Sequence, residues 1–255
     1  MSDMRIRIEK TVSCRDCDEI PKVKNAGRIV DNYQIMHNGL KIIQGCYHGD
    51  WMSEIISRCN GHHEPQEEKA FHEVLKYIKE GSTMIEVGSF WAYYSMWFNT
   101  QIKDAKNYMI DINENTLNIG RKNFDINNLV GHFYVDSVPN FNFGSFIKQN
   151  NIDFVDILHA DIQGWEYHLL QDFQPYLDKI GYIFVSTHTD QYTSGQFWNA
   201  PREFLHEDCL NFFIQNEFII LCEHNMKESS SHDGLIVAKN PNINIDFNEI
   251  KISKL

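Results

Sequence analysis

From residue 83 onward, short apolar runs alternate with longer amphipathic stretches, and this alternation constrains the fold more than any other feature of the sequence. The apolar runs are 83–87 (TMIEV), 107–112 (NYMIDI), 132–136 (HFYVD), 153–160 (DFVDILHA), 181–188 (GYIFVSTH), 217–223 (EFIILCE) and 234–238 (GLIVA). Helical patterns fill the gaps between the first six, at about 91–103, 114–127, 141–150, 165–178 and 202–215. Strands that alternate with helices predict an α/β fold, a mostly parallel sheet with helices on both faces. The last two runs are joined by the polar stretch NMKESSSHDG and no helix. That connection predicts one antiparallel strand at the edge of a seven-stranded sheet.

The residues before this alternation read differently. Residues 1 to about 30 are polar and weakly periodic, so a loosely held lead segment is expected. Cys14 and Cys17 form a CxxC within it, read as two surface thiols of a mobile segment. YQIM and LKIIQGCY flank Asn38-Gly39, a dipeptide suited to the positive φ of tight hairpin turns. DWMSEIISRC then reads as a short amphipathic helix. The expected organisation is an extension over 1–62, with a β-hairpin and a short helix, and a main domain over 63–255. That domain opens with GHHEPQEEKAFHEVLKYIKEG, a helix with Pro65 and several acids in its first turn, where the helix dipole favours them. Phe71, Val74, Leu75 and Ile78 share its apolar face, and Gly81 is expected to end it.

The formal net charge of −12 argues against nucleic-acid and anionic-membrane partners, because both need basic surfaces. No apolar run reaches membrane-spanning length, and MSDMRIRIEK lacks a secretory core. Six scattered cysteines do not form a disulfide framework. A cytoplasmic location is expected.

In an open α/β sheet, ligands bind beyond the carboxyl ends of the strands. Five successive strands end there in polar groups: Glu86-Val87-Gly88, Asp111, Asp136-Ser137, Asp161 with Gly164 and Glu166, and Ser186-Thr187-His188. Gly88 permits a close turn. An acid just before it repels the pyrophosphate of a dinucleotide. It suits a nucleotide carrying a sulfonium and an ammonium, which is S-adenosylmethionine. Asp111 then takes the ribose diol and Asp136 the adenine amine.

EVGSFWAYYS, DINENTLNIGRKNF and HADIQGWEYHLL, within a span of about 80–240, resemble the FkbM-type S-adenosylmethionine-dependent methyltransferases. Asp161-Ile-Gln-Gly164-Trp-Glu166 is similar to that family's Asp-x-Glu-Gly-x-Glu stretch, with Gln163 in place of a Glu. Ala92 stands where the family has its second glycine. The resemblance implies the seven-strand, Rossmann-like methyltransferase fold and methylation of a hydroxyl on a saccharide or small natural product. It implies cofactor contacts at Glu86, Gly88, Asp111 and Asp136, and Ser89, Ile112 and Ser137 complete that surface.

Asp161 and His188 end adjacent strands and are the candidate catalytic residues. His188 has the better unperturbed pKa for a base, and Asp161 then orients the acceptor or touches the cofactor. Trp165, Glu166, His62 and His63 are expected on the acceptor side, with Glu64 in the same segment. Asp161, Glu166 and His188 are also residue types that hold a divalent ion, but the reading assigns no metal. Two rival functions stay open: a nicotinamide-dependent oxidoreductase on a Rossmann sheet, and a non-catalytic binding protein of the same fold.

Overall fold

The computed structural model describes residues 3–137, 140–188, 205–245 and 249–255. Ten strands lie among them. β1 (Ile29–Val30), β2 (Tyr33–Ile35) and β3 (Lys41–Ile43) form a small antiparallel sheet. β4 (Thr83–Val87), β5 (Lys106–Asp111), β6 (His132–Val135), β7 (Val155–Ala160), β8 (Ile180–Thr187), β9 (Ile219–His224) and β10 (Gly234–Lys239) form the large one. The described helices are α1 (Asp3–Ser13), α2 (Asp50–Arg58), α3 (Pro65–Leu75), α4 (Tyr93–Gln101), α5 (Glu114–Ile126), α6 (Phe143–Gln149), α7 (Glu166–Phe173) and α8 (Leu205–Gln215).

The large sheet has the order β6-β5-β4-β7-β8-β10-β9. β4 pairs parallel with both β5 and β7, so the chain reverses its direction of winding at β4. β10 is the antiparallel strand, inserted between β8 and β9 on that margin of the sheet. The two faces follow the period of two along each strand. Ile85, Val87, Ile110, Leu158 and Ile183 pack on one face. Met84, Met109, Ile157 and Phe184 pack on the other, with Ile8, Met36, Met52, Ile55 and Phe71. The N-terminal extension therefore contributes to the core on that second face.

The hairpin turns as expected around Asn38-Gly39. Gly39 takes φ +90° and donates its N–H to Met36 O at 3.0 Å. The lead segment is not loose. In α1, Ile8 and Thr11 are buried, and the Thr11 hydroxyl donates to Ser230 O at 2.7 Å. Asp16 accepts from Ser253 N and Oγ at 2.8 and 2.7 Å. Cys14 and Cys17 are buried rather than surface thiols. The segment packs partly through Thr11 and Asp16, polar residues that a hydropathy pattern does not mark. α3 ends at Leu75 rather than at Gly81, because the chain tightens into i→i+3 bonds at Tyr77 and Ile78. The stretch read as one helix over 165–178 is α7 followed by a 3₁₀ turn, Gln174–Lys179, which contains Pro175. Residues 202–204 of the last expected helix lie outside the described residues.

Candidate functional site

The site begins with a close approach between two backbones. Gly88 has φ +83°, and a Cβ placed on it would lie 1.7 Å from the Asp161 carbonyl oxygen. Only glycine lets the loops after β4 and β7 meet this closely. Gly88 N and Ser89 N donate to Ile110 O at 2.8 and 3.1 Å. Phe90 and Ala92 then take φ of 41° and 60°. Ala92 thus adopts the left-handed conformation that a glycine would take more readily, at a cost of about 1 kcal/mol.

Beyond these loops lies a cavity of about 670 Å³, within the roughly 300–1,000 Å³ range of small-molecule sites. Glu86, Gly88, Ser89, Asp111, Ile112, Asp136 and Ser137 all line it, as do Asp161, Trp165 and His63. Asp111 also braces the turn: its Oδ2 accepts from Phe90 N at 2.9 Å, and its Oδ1 from Asn113 N and the Thr116 hydroxyl at 2.9 and 2.8 Å. Asp136 Oδ1 accepts from Ser137 N at 2.8 Å.

Three expected residues do not line the cavity. His62 is fully buried, its Nδ1 on the Glu68 carboxylate beside Cys17. Glu166 is fully buried too. Its Oε1 accepts from Ile162 N at 3.2 Å and Gly164 N at 3.1 Å, which folds the DIQGWE loop back on itself. The third is His188, whose Nδ1 lies 2.9 Å from Glu166 Oε1 and whose Nε2 lies 3.2 Å from Asp233 Oδ1.

His188 thus does not line the cavity that the expected base would face, and Gln163 Nε2 also lies 2.8 Å from its Nε2. Burial opposes its charge, but the Glu166 and Asp233 carboxylates outweigh burial and hold its pKa well above the ordinary value. A raised pKa favours the protonated ring, which is a poor proton acceptor. Asp161 Oδ1 lies 3.5 Å from His188 Nε2, and its side chain is 28% exposed to the cavity. Burial pushes its carboxyl up to about 7; His188 works against this, and the nearby carboxylates of Asp233, Glu64 and Glu67 reinforce it. The ligating atoms of Asp161, Glu166 and His188 lie within 4.8 Å of one another. The histidine lies between the two carboxylates.

Glu86 also departs from expectation. It shares its face of β4 with Met84 rather than projecting from the strand end, and it is 3% exposed. Its carboxylate accepts from Ser95 N of α4 at 3.2 Å. Burial raises its pKa to about 7, with His159 opposing the rise. Its ionisation is thus incomplete at neutral pH.

Two carboxylate–histidine pairs draw their carboxylates from residues away from the strand ends. Glu64 lies 3.1 Å from His63 Nε2. Burial works against its charge, but His63 holds Glu64 below the ordinary carboxylate range. His63 itself is pushed to about 10: burial opposes, and Glu64 and Glu68 prevail. Glu67 Oε1 lies 2.6 Å from His159 Nε2, and Ser186 donates to Glu67 Oε2 at 3.0 Å. The signal was present in two places: a histidine inside the apolar run VDILHA, and a GHHEPQEE segment whose acids face inward. Buried charges occur in partnered sets, so each predicts the other.

No family model matches the chain, and no curated sequence matches it. Solved structures are similar in fold. One is TrmK of M. capricolum in complex with S-adenosylhomocysteine, 17% identical, covering 68% of each chain, TM-score 0.48. A second is a putative rRNA methylase of Clostridium thermocellum, 14% identical over 68% of this chain and 94% of that one, TM-score 0.49. A third is an rRNA methylase of Streptococcus thermophilus, 11% identical over 69% and 96%, TM-score 0.49. The fold is the seven-strand, Rossmann-like methyltransferase fold. Against the expectation of no nucleic-acid partner, two of these neighbours are described as rRNA methylases, and a net charge of −12 does not by itself exclude such a partner. Net charge describes the whole surface, whereas recognition uses a local one. Among the described residues, no helix is long and apolar enough to cross a membrane.

Proposed function

We propose that the chain is an S-adenosylmethionine-dependent methyltransferase of the FkbM type, acting on a hydroxyl of a saccharide or small natural product, with Asp161 as the base. The observation that carries this reading is the convergence of the Gly88 turn, Asp111, Asp136 and Asp161 on one cavity. The residues fit the cofactor. Gly88 lets the loops after β4 and β7 close together beside the cavity, Asp111 and Asp136 present acceptors for the ribose and adenine, and Ile112 offers an apolar surface to the adenine.

S-adenosylmethionine, when bound, supplies an activated methyl group. The protein has to position the acceptor and remove its proton. Asp161 faces the cavity and has a carboxyl poised near neutrality, as a general base requires. His188, fixed by Glu166 and Asp233, holds a positive charge beside it and keeps it aligned. Trp165 on the same wall offers a flat face of the kind that packs against sugar rings.

The test has two stages. Calorimetry with S-adenosylhomocysteine should show saturable binding. Labelled S-adenosylmethionine should then transfer methyl to a member of a panel of free and nucleotide-linked sugars and polyols. No uptake of the nucleoside, or transfer only to an RNA pool run alongside, would sink the proposal.

A further inference from the structure

The inner end of the cavity, toward α3 and the extension, carries buried groups of both signs. Glu64 immediately precedes α3 and is 6% exposed. Its Oε2 lies 3.1 Å from His63 Nε2 and 3.3 Å from the Tyr94 hydroxyl, and its Oε1 lies 3.4 Å from the Tyr47 hydroxyl. A carboxylate accepts about four hydrogen bonds. Among the described residues the protein supplies three donors here, two of them at long range.

His159 is the complementary group. It sits in β7 opposite Glu86 and is 3% exposed. Its Nε2 is engaged by Glu67, while Nδ1 is buried and has no hydrogen-bond partner among the described residues. Both Glu64 and His159 line the cavity, and Tyr94 spans them. Its ring centroid is 4.5 Å from that of His159, and its hydroxyl reaches Glu64. Burial opposes charge on His159, but Glu67 and Glu86 hold its pKa above the ordinary value.

We propose that this end of the cavity clamps an α-amino acid zwitterion, the methionyl end of the cofactor, with Glu64 accepting from the ammonium and His159 Nδ1–H donating to the carboxylate. The inference rests on the function proposed above and reassigns the ammonium from Glu86 to Glu64. A lone anion would meet Glu64 and a lone cation would meet His159. A ligand carrying both charges a few bonds apart satisfies both groups, and buried charges demand that satisfaction.

The experiment compares S-adenosylhomocysteine with 5′-methylthioadenosine, which keeps the nucleoside and lacks the amino acid. Calorimetry on the wild-type protein should give at least about tenfold tighter binding of S-adenosylhomocysteine. Glu64→Gln and His159→Asn should each erase about tenfold of that preference and leave methylthioadenosine affinity unchanged. That second affinity doubles as the check on folding. A wild-type measurement needs no variant: the decarboxylated analogue of S-adenosylhomocysteine should bind about tenfold more weakly than the parent. Equal wild-type affinity for all three ligands overturns the clamp. So does an unchanged preference in both variants, or a change confined to the acceptor's KM. Failure of the wild-type protein to bind any of the three removes the function proposed above as well.

Discussion

His188 Nδ1 lies 2.9 Å from Glu166 Oε1, and both side chains are shut away from solvent. With Asp233 3.2 Å from the other ring nitrogen, carboxylates on both sides favour the protonated form of a histidine at a strand end. Asp161, the base in the function proposed above, lies 3.5 Å away and is open to the cavity.

Asp161→Asn should lower kcat by about 10²–10⁴-fold while S-adenosylhomocysteine binding changes little. The carboxyl is raised to about 7, so its basic form accumulates as pH climbs through that value. Wild-type kcat/KM should rise with pH to a plateau above about 7, and the residual activity of the variant should lack that rise. A pH–rate profile with labelled methyl donor checks this.

His188→Ala leaves Glu166 buried and Asp233 half-buried without the charge between them. Breaking such a pair costs about 3–5 kcal/mol. His188 has a raised folded pKa, so its contribution is fully present below the ordinary histidine value. It is lost only as pH climbs through that raised folded value. Urea unfolding should therefore show the full deficit at pH 6, and a deficit near zero would contradict the ion-pair reading.

Glu86→Gln should stabilise the protein at alkaline pH. The folded carboxyl titrates at about 7 against 4.5 for the free group. Between those values the folded state binds the extra proton, so stability falls as pH rises toward 7 and stays low above it. A neutral isostere keeps an acceptor for Ser95 N and removes that penalty, by up to about 3 kcal/mol. Melting temperature against pH should fall less steeply in the variant from pH 5 to 8.

Gly88→Ala and Gly81→Ala separate backbone strain from close approach. Both glycines have positive φ, +83° and +78°. A Cβ on Gly81 meets nothing within 4 Å, so strain of about 1–2 kcal/mol is the whole cost. A Cβ on Gly88 collides with the Asp161 backbone. That variant should lose more than about 3 kcal/mol and all nucleoside binding, read by thermal unfolding and calorimetry.

The sequence by itself determined the strands, the helices between them, the Asn38-Gly39 hairpin and the glycine turn at Gly88. Each follows from a local period or a local backbone angle, which neighbouring residues specify. The polar strand ends were legible for the same reason, and with them most of the cavity wall. Tertiary structure decided the burial of Cys14 and Cys17, the inward turn of Glu86 and the charge states of Glu64, His159 and His188. Glu67 meets His159 from 92 positions away, and Glu166 meets His188 from 22. A buried charge takes its pKa from the distances to its neighbours and from the water it has lost, and only the folded chain sets either quantity.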